Sequence, residues 1–383
     1  MDTARQPDAA LIAAAQALVP RLAAAGDEIE RTRRLPDWLV EAMRAAGLFR
    51  MLVPDRLGGA EAHLATFAAS VEALAVVDGS TAWCLSQGAG SVFVVANQLA
   101  PDAAAELVGD PACVVAWGPG ATGVARPVAG GHRVAGRWSF ASGCHHATWL
   151  GGAAVPSGAT AEAARVFLFP AGCARILDTW HVSGLRGTGS DTYEVEDVFV
   201  PEGRSFSVRR DARHHPGPLY AFPPELVYGV GFASVALGIA RGALDAFVGL
   251  AAGKTPRNTR DVLRESAVVQ AQHARAEAAV RSARAFLREA IGSAWTAAAE
   301  SPSLPLERRA ILRLAVVHAI HAAAAATDSA YQAAGATAIF ESNPFERRFR
   351  DVHAVTQQIQ ARPAHFETVG RFLLGLPPEP GFL

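Results

Sequence analysis

Three stretches of different character predict a mainly α-helical protein with a central β domain. Residues 1–110 carry apolar side chains at helical spacing. Residues 111–210 break into short β-type runs separated by Gly and Pro. Residues 211–383 hold long alanine-rich segments. The expected organisation is an N-terminal α domain, a central β domain and a C-terminal four-helix bundle.

Each element follows from a local pattern. Leu39, Met43 and Ala46 fall at i, i+4 and i+7, and Pro36-Asp37 suits a helix start. Pro54-Asp55-Arg56-Leu57-Gly58-Gly59 reads as a turn, followed by apolar helices over 63–77 and 80–99. Strands are expected over 112–117, 132–140, 165–169 and 192–200. The last of these, TYEVEDVFV, alternates polar and apolar residues over much of its length. Helices follow over 225–252, 262–299, 306–340 and 353–374, with breaks at Pro302, Pro305 and Pro344. No internal repeat is present.

Composition excludes several classes of function. Half of the residues are hydrophobic and 19% are charged, so a large core can form and disorder is not the main state. With a net charge of −1 there is no basic field to recruit nucleic acid. Cys84, Cys113, Cys144 and Cys173 form no CxxC pair, and a reducing cytoplasm is the expected compartment. The N-terminal segment reads as an amphipathic helix and not as a signal peptide. The apolar run 226–252 is interrupted by Arg241 and Asp245, as suits a bundle helix better than a membrane span. Lys254 is the one lysine among 35 basic residues, so any lysine chemistry must use it or be absent.

Common catalytic signatures are missing. There is no GxSxG elbow and no P-loop, and Gly187-Thr188-Gly189 lacks the third glycine and the helix of a dinucleotide fingerprint. His318 and His321 share a helical face, but no Glu-x-x-His accompanies them. The adjacent pairs His145-His146 and His214-His215 point different ways, so no metal site is expected.

Several segments, in order along nearly the whole chain, resemble the acyl-CoA dehydrogenase fold superfamily. Ala46-Gly47-Leu48-Phe49, with Val53-Pro54 and Gly58-Gly59, is similar to its N-terminal helix and turn. Gly136-Arg137-Trp138-Ser139-Phe140-Ala141-Ser142-Gly143 resembles its flavin-binding segment. Leu185-Arg186-Gly187-Thr188-Gly189-Ser190-Asp191 and the strand after it resemble its closing strands. Ala236-Leu237-Gly238-Ile239-Ala240-Arg241 resembles its first bundle helix. Phe345-Glu346-Arg347-Arg348-Phe349-Arg350-Asp351 resembles the motif before its last helix.

The dehydrogenases of this family need a carboxylate base. The two matching positions here are Ser342 and Tyr228, poor bases near neutral pH, with Glu341 and Glu225 as the carboxylates a register shift would supply. Together with the wording of the flavin segment and Arg350-Asp351-Val352-His353, this makes the chain similar to the flavin-dependent monooxygenase branch. Its members are the oxygenase components of two-component systems. The resemblance implies a separate reductase that supplies reduced flavin, FMN or FAD, and molecular oxygen as co-substrate. It implies a flavin hydroperoxide that oxygenates a small aromatic or nitrogen-containing substrate. A homotetramer is implied too.

By motif match, Ser142 is the hydroxyl at the flavin N5 edge, or else a strand-end hydroxyl satisfying a turn. Phe140 and Ala141 on one side, and Trp117 and Gly118 on the other, wall the flavin, unless the aromatics are core packing. His146 and His353 are candidate acid–base groups, with surface or cap positions as the alternative. Lys254 and Arg257 match the phosphate end of the flavin. Gln332 and Gly335 match contacts to a flavin of a neighbouring subunit.

The chain departs from aromatic hydroxylases of this type in two places. No histidine occurs in 87–97, and Gln357-Gln358 replaces the second one. Glutamine cannot remove a phenol proton. Oxygenation of a nitrogen or an indole-like carbon fits better than phenol hydroxylation. Two other readings remain at this level: an acyl-CoA dehydrogenase or oxidase with a displaced base, and an inactive family member serving as a binding scaffold. Lys254→Ala is expected to weaken flavin affinity in a fluorescence titration, and unchanged affinity returns Lys254 to the solvated surface.

Overall fold

The computed structural model describes residues 6–209 and 212–377. Asp8 opens the first helix, its carboxylate accepting the amides of Ala10 and Leu11, and α1 (Ala9–Thr32) ends where Arg33 turns left-handed. Then come α2 (Asp37–Ala45), α3 (Leu64–Ala75), α4 (Gly79–Gln98) and α5 (Pro101–Val108). In α4 every residue except Gln87 is buried, so it is the central rod of the fold. A helix buried all round has to be wrapped on all sides.

The β domain is one eight-stranded sheet: β1 (Val115–Trp117), β2 (Gly123–Val128), β3 (Gly131–Trp138), β4 (Trp149–Pro156), β5 (Arg165–Pro170), β6 (Arg175–Leu177), β7 (Thr192–Pro201) and β8 (Ser205–Ser207). Its order is β6-β7-β3-β2-β4-β5-β8, with β1 parallel to β4. The predicted run 112–117 is strand only over its last three residues. β2, β4, β6 and β8 were not among the runs singled out from sequence.

Trp138 anchors this domain. Its indole, 1% exposed, stacks on Tyr193 with ring centroids 5.5 Å apart. A Cβ at Gly123, Gly136 or Gly152 would lie within 2.6 Å of the ring, so three strands leave one slot for it.

The C-terminal part holds α6 (Pro224–Gly253), α7 (Ala267–Glu300), α8 (Leu306–Ala334), α9 (Pro344–Thr356) and α10 (Ala364–Leu373). Helices α1, α6 and α8 are long and apolar enough, by length and composition, to cross a membrane. In α6 and α8, 61% and 67% of that stretch is buried inside the protein, so most of their apolarity serves the bundle core.

Two helix readings change. The stretch 353–374 is not one helix: α9 starts earlier, with Pro344 in its first turn, where a missing N–H is harmless. It stops where the Gln358 side chain caps a 3-10 turn, and Pro363 precedes α10. The helix expected to 340 ends at Ala334, because Gly335 takes φ 58° and ψ −148° and opens a 3-10 turn.

The loop between β6 and β7 joins the two halves. A Cβ at Gly184 would sit 2.1 Å from the Arg350 carbonyl of α9, and one at Gly187 2.1 Å from Ile29 of α1. Between them, Asp351 Oδ1 accepts the Leu185 amide at 2.6 Å. Burial raises the Asp351 carboxyl to about 7; the Leu185 amide and Arg350 lower it, while Asp78 and Glu30 raise it further.

A folded value above the unfolded one, about 4, means that this group's contribution to stability is fully present below about pH 4. It is lost as pH rises through about 7. Asp351→Asn keeps the acceptor and removes the charge. It is expected to raise Tm at about pH 8, with little change near pH 4, as read by thermal melts across pH.

Candidate active site

The site grows from the turn after β3. Phe140 stands there at φ 61°, its ring 64% exposed and edge-on to Trp180 at 5.9 Å. A large apolar ring held out in a left-handed conformation is unfavourable without a partner, so it is not core packing. Ala141 and Ser142 follow, both buried. Ala141 N–H donates to Asp191 O, and Gly143 N–H donates to Thr188 O.

Ser142 sits in a run of buried hydroxyls. Trp83 Nε1 of α4 donates to Ser142 Oγ at 2.9 Å, and Ser142 Oγ lies 2.7 Å from Ser190 Oγ. Ser190 Oγ lies 2.7 Å from Thr188 Oγ1, which donates to Leu185 O at 2.8 Å. Trp83 stacks on Phe232 of α6 at 4.2 Å, and Tyr228 continues the stack, its hydroxyl 3.1 Å from Ser91 Oγ. Ser142 therefore lies where the β domain meets α4 and, through Trp83, α6.

Gly118 follows β1, and a Cβ there would strike the Ser139 carbonyl at 2.3 Å, so this position admits only glycine beside the Ser142 turn. Trp117 is half-buried, its ring edge-on to Phe206 at 6.5 Å.

Two histidines follow Ser142. His145 Nε2 meets Asp191 Oδ2 at 2.7 Å. Burial opposes the Asp191 charge, but His145 and the amides of Thr179 and Trp180 outweigh it and hold the carboxyl below its usual range. His146 is the other kind. Burial pushes its ring down to about 3, with the positive charges of Arg44 and His145 adding to the effect. It is a neutral hydrogen-bonding group at pH 7 and not a proton carrier.

The remaining candidates collect elsewhere, at the C-terminal end of α8. His353 Nε2 pairs with Asp328 at 2.8 Å, and its ring packs on Phe349. The Lys254 ammonium donates to Ala334 O and to Thr337 Oγ1, closing the turn at Gly335. Two of its three protons are used there and one is left. Gln332, Gly335 and Arg257 are exposed. No hydrogen bond or ion pair among the described residues joins this group directly to Ser142.

At the dehydrogenase base positions, Tyr228 keeps its hydroxyl against Ser91 and stacks toward Trp83 through Phe232. Glu341 and Ser342 line a separate recess of about 200 Å³ with Asp27, Arg347 and Arg348. Glu225, at the start of α6, acts electrostatically on Arg309 and Arg313. Sequence reasoning missed the roles of Trp83, Thr188, Ser190 and Asp191. Three of these four lie inside the Leu185–Asp191 motif, so the signal was present without its geometry.

The fold and site define a class, and comparison with known proteins agrees. The chain matches the acyl-CoA dehydrogenase N-terminal domain over residues 8–103 and the acyl-CoA dehydrogenase C-terminal domain over residues 230–363. It belongs to the acyl-CoA dehydrogenase family. Within it, the indole-3-acetate monooxygenase of Pseudomonas putida is 35% identical, over 93% of this chain and 91% of that one. The flavin-dependent monooxygenase oxygenase subunit HsaA of Rhodococcus jostii is 31% identical, over 88% and 91%. The structure of XiaF from Streptomyces sp. in complex with FADH2 and glycerol superposes with a TM-score of 0.89 at 28% identity, covering 96% of each chain. The protein is the oxygenase component of a flavin-dependent monooxygenase and uses reduced flavin.

The His146 shift has a consequence in acid. Its folded value lies below the unfolded one of about 6.5, so its contribution to stability is present above that pH and lost as pH falls toward 3. The ring-nitrogen NMR signals of His146 are expected to stay those of a neutral ring down to about pH 4, and His146→Gln is expected to reduce the acid loss of stability.

Proposed function

We propose that this oxygenase acts on an electron-rich, indole-like aromatic that needs no ionised base for activation. The observation that carries the reading is the character of the groups around Ser142. They are hydroxyls, an indole N–H and the neutral ring of His146, with the carboxylate of Asp191 committed to His145 and two amides. Such a lining can orient a neutral heteroaromatic by hydrogen bonding, but it cannot strip a phenol of its proton. The 35% identity to an indole-3-acetate monooxygenase supports the same substrate class.

Phe140, Ala141, Ser142, Trp117 and Gly118 would hold the isoalloxazine, and Lys254 and Arg257 its phosphate end. The exposed Phe140 ring and the close approach at Gly118 fit a flat ring system laid against this turn. Bound reduced flavin, FMN or FAD, supplies the activation of molecular oxygen. This chain's residues orient it, exclude water, set Ser142 at the flavin edge and present His146 to the substrate. His353, held by Asp328, would act from the α8 side.

A separate reductase delivers the flavin, and the working form is a homotetramer in the cytoplasm. Exposed Ile339 and Phe340, 63% and 59% accessible beside Gly335, support a neighbouring subunit completing the site with Gln332 and Gly335. Four free cysteines, three of them buried, suit a reducing compartment.

The test is reconstitution with a flavin reductase, NADH, and FMN or FAD, presenting indole-type, phenolic and acyl-CoA substrates in turn. Oxygenated product is expected from the indole type, and turnover of phenols alone would overturn the assignment. Reduced flavin at about 100 times its Kd should stabilise the protein by roughly 2.7 kcal/mol in a thermal shift.

A further inference from the structure

We propose that Ser190 and Thr188 are positioning residues that fix Ser142 as a hydrogen-bond acceptor toward the cofactor, so that the site discriminates reduced from oxidised flavin. The inference rests on the reading of Ser142 as the hydroxyl at the flavin N5 edge.

Each hydroxyl of the run has one proton to give. The Leu185 carbonyl has none, so the 2.8 Å contact with Thr188 Oγ1 uses the Thr188 hydroxyl proton. Thr188 has no other to give. The 2.7 Å contact between Thr188 and Ser190 must therefore be bridged by the Ser190 proton. The 2.7 Å contact between Ser190 and Ser142 is then bridged by the proton of Ser142. At the far end Trp83 Nε1, which can only donate, fills one lone pair of Ser142.

The opposite polarity would leave the Thr188 hydroxyl oxygen 2.8 Å from the Leu185 carbonyl oxygen with no proton between them. All three hydroxyls are buried, Thr188 at 2%, Ser190 at 3% and Ser142 at 8%, so solvent does not relieve such a contact.

The carbonyl of Leu185 is thus the terminus that orders the run. Its position is set in turn by Asp351, which accepts the Leu185 amide, and by the Trp180 indole N–H, which donates to the same carbonyl. Ser142 is left with one free lone pair and no free proton.

Flavin N5 changes character with oxidation state. In reduced flavin it carries a hydrogen and donates; in oxidised flavin it is a bare lone pair and accepts. An acceptor-only Ser142 makes a hydrogen bond with the first and sets lone pair against lone pair with the second. An enzyme that must take up reduced flavin from a reductase and release it oxidised has use for that asymmetry.

The experiment compares dissociation constants for oxidised flavin, by fluorescence titration, with those for reduced flavin, by anaerobic titration, using FMN and FAD. Ser190→Ala frees the Ser142 proton to turn toward the flavin. The ratio of oxidised to reduced Kd is expected to fall about tenfold, the size of one hydrogen bond gained or lost. Thr188→Val, which lets the Ser190 proton turn toward Ser142, should move the ratio in the same direction. Thr188→Ser keeps the run and should leave it unchanged.

Equal weakening of both affinities in Ser190→Ala and Thr188→Val, or an unchanged ratio, overturns the proposal. Ser142→Ala separates the two layers. If it alters neither affinity, Ser142 does not face the flavin and the reading beneath the proposal falls. If it alters the affinities while the Ser190 and Thr188 variants leave the ratio intact, only the polarity argument falls.

Discussion

The constraint on which the site depends is the passage of one loop through a gap with no spare room. Between Gly184 and Asp191 the backbone runs in contact with α9 at the Arg350 carbonyl and with α1 at Ile29. Asp351 clamps its amide at Leu185. Any side chain at Gly184 or Gly187 would push the loop out, and with it the hydroxyls of Thr188 and Ser190 and the carboxylate of Asp191. The β domain and the helical part are thus held together by backbone proximity as well as by apolar packing, and the candidate site lies where they touch.

This explains why so many polar groups are buried at one place. Asp78, Asp351, Thr188, Ser190 and Ser142 are each almost inaccessible. Asp78 caps α4, Asp351 holds the loop, and the hydroxyls satisfy one another in series. A buried polar group without a partner is costly, whereas a closed series is rigid. Rigidity suits a site that must hold a planar cofactor in a fixed position, with the oxygen chemistry left to the cofactor.

The two histidines after Ser142 show how one step along the chain changes a residue's use. His145 reaches outward and pairs with the Asp191 carboxylate at the rim. His146 turns inward toward Phe49 and stays neutral. The order of residues names both and distinguishes neither, because the difference is set by the burial each meets.

The sequence by itself determined the α–β–α order, the run of long bundle helices and the family, because these rest on periodicity, Gly and Pro punctuation and contiguous motifs. It also placed Phe140 and Ser142 at the end of a strand. It could not show that 353–374 is two helices, since Gln358 acts as a cap only once the turn has formed. It could not join Trp83 to Ser142 across 59 residues, or Leu185 to Asp351 across 166. Local pattern sets which way each segment coils. Only the tertiary structure brings α4, α9 and the 184–191 loop to one point, and hydrogen-bond partnership, burial and the direction of each proton are decided there.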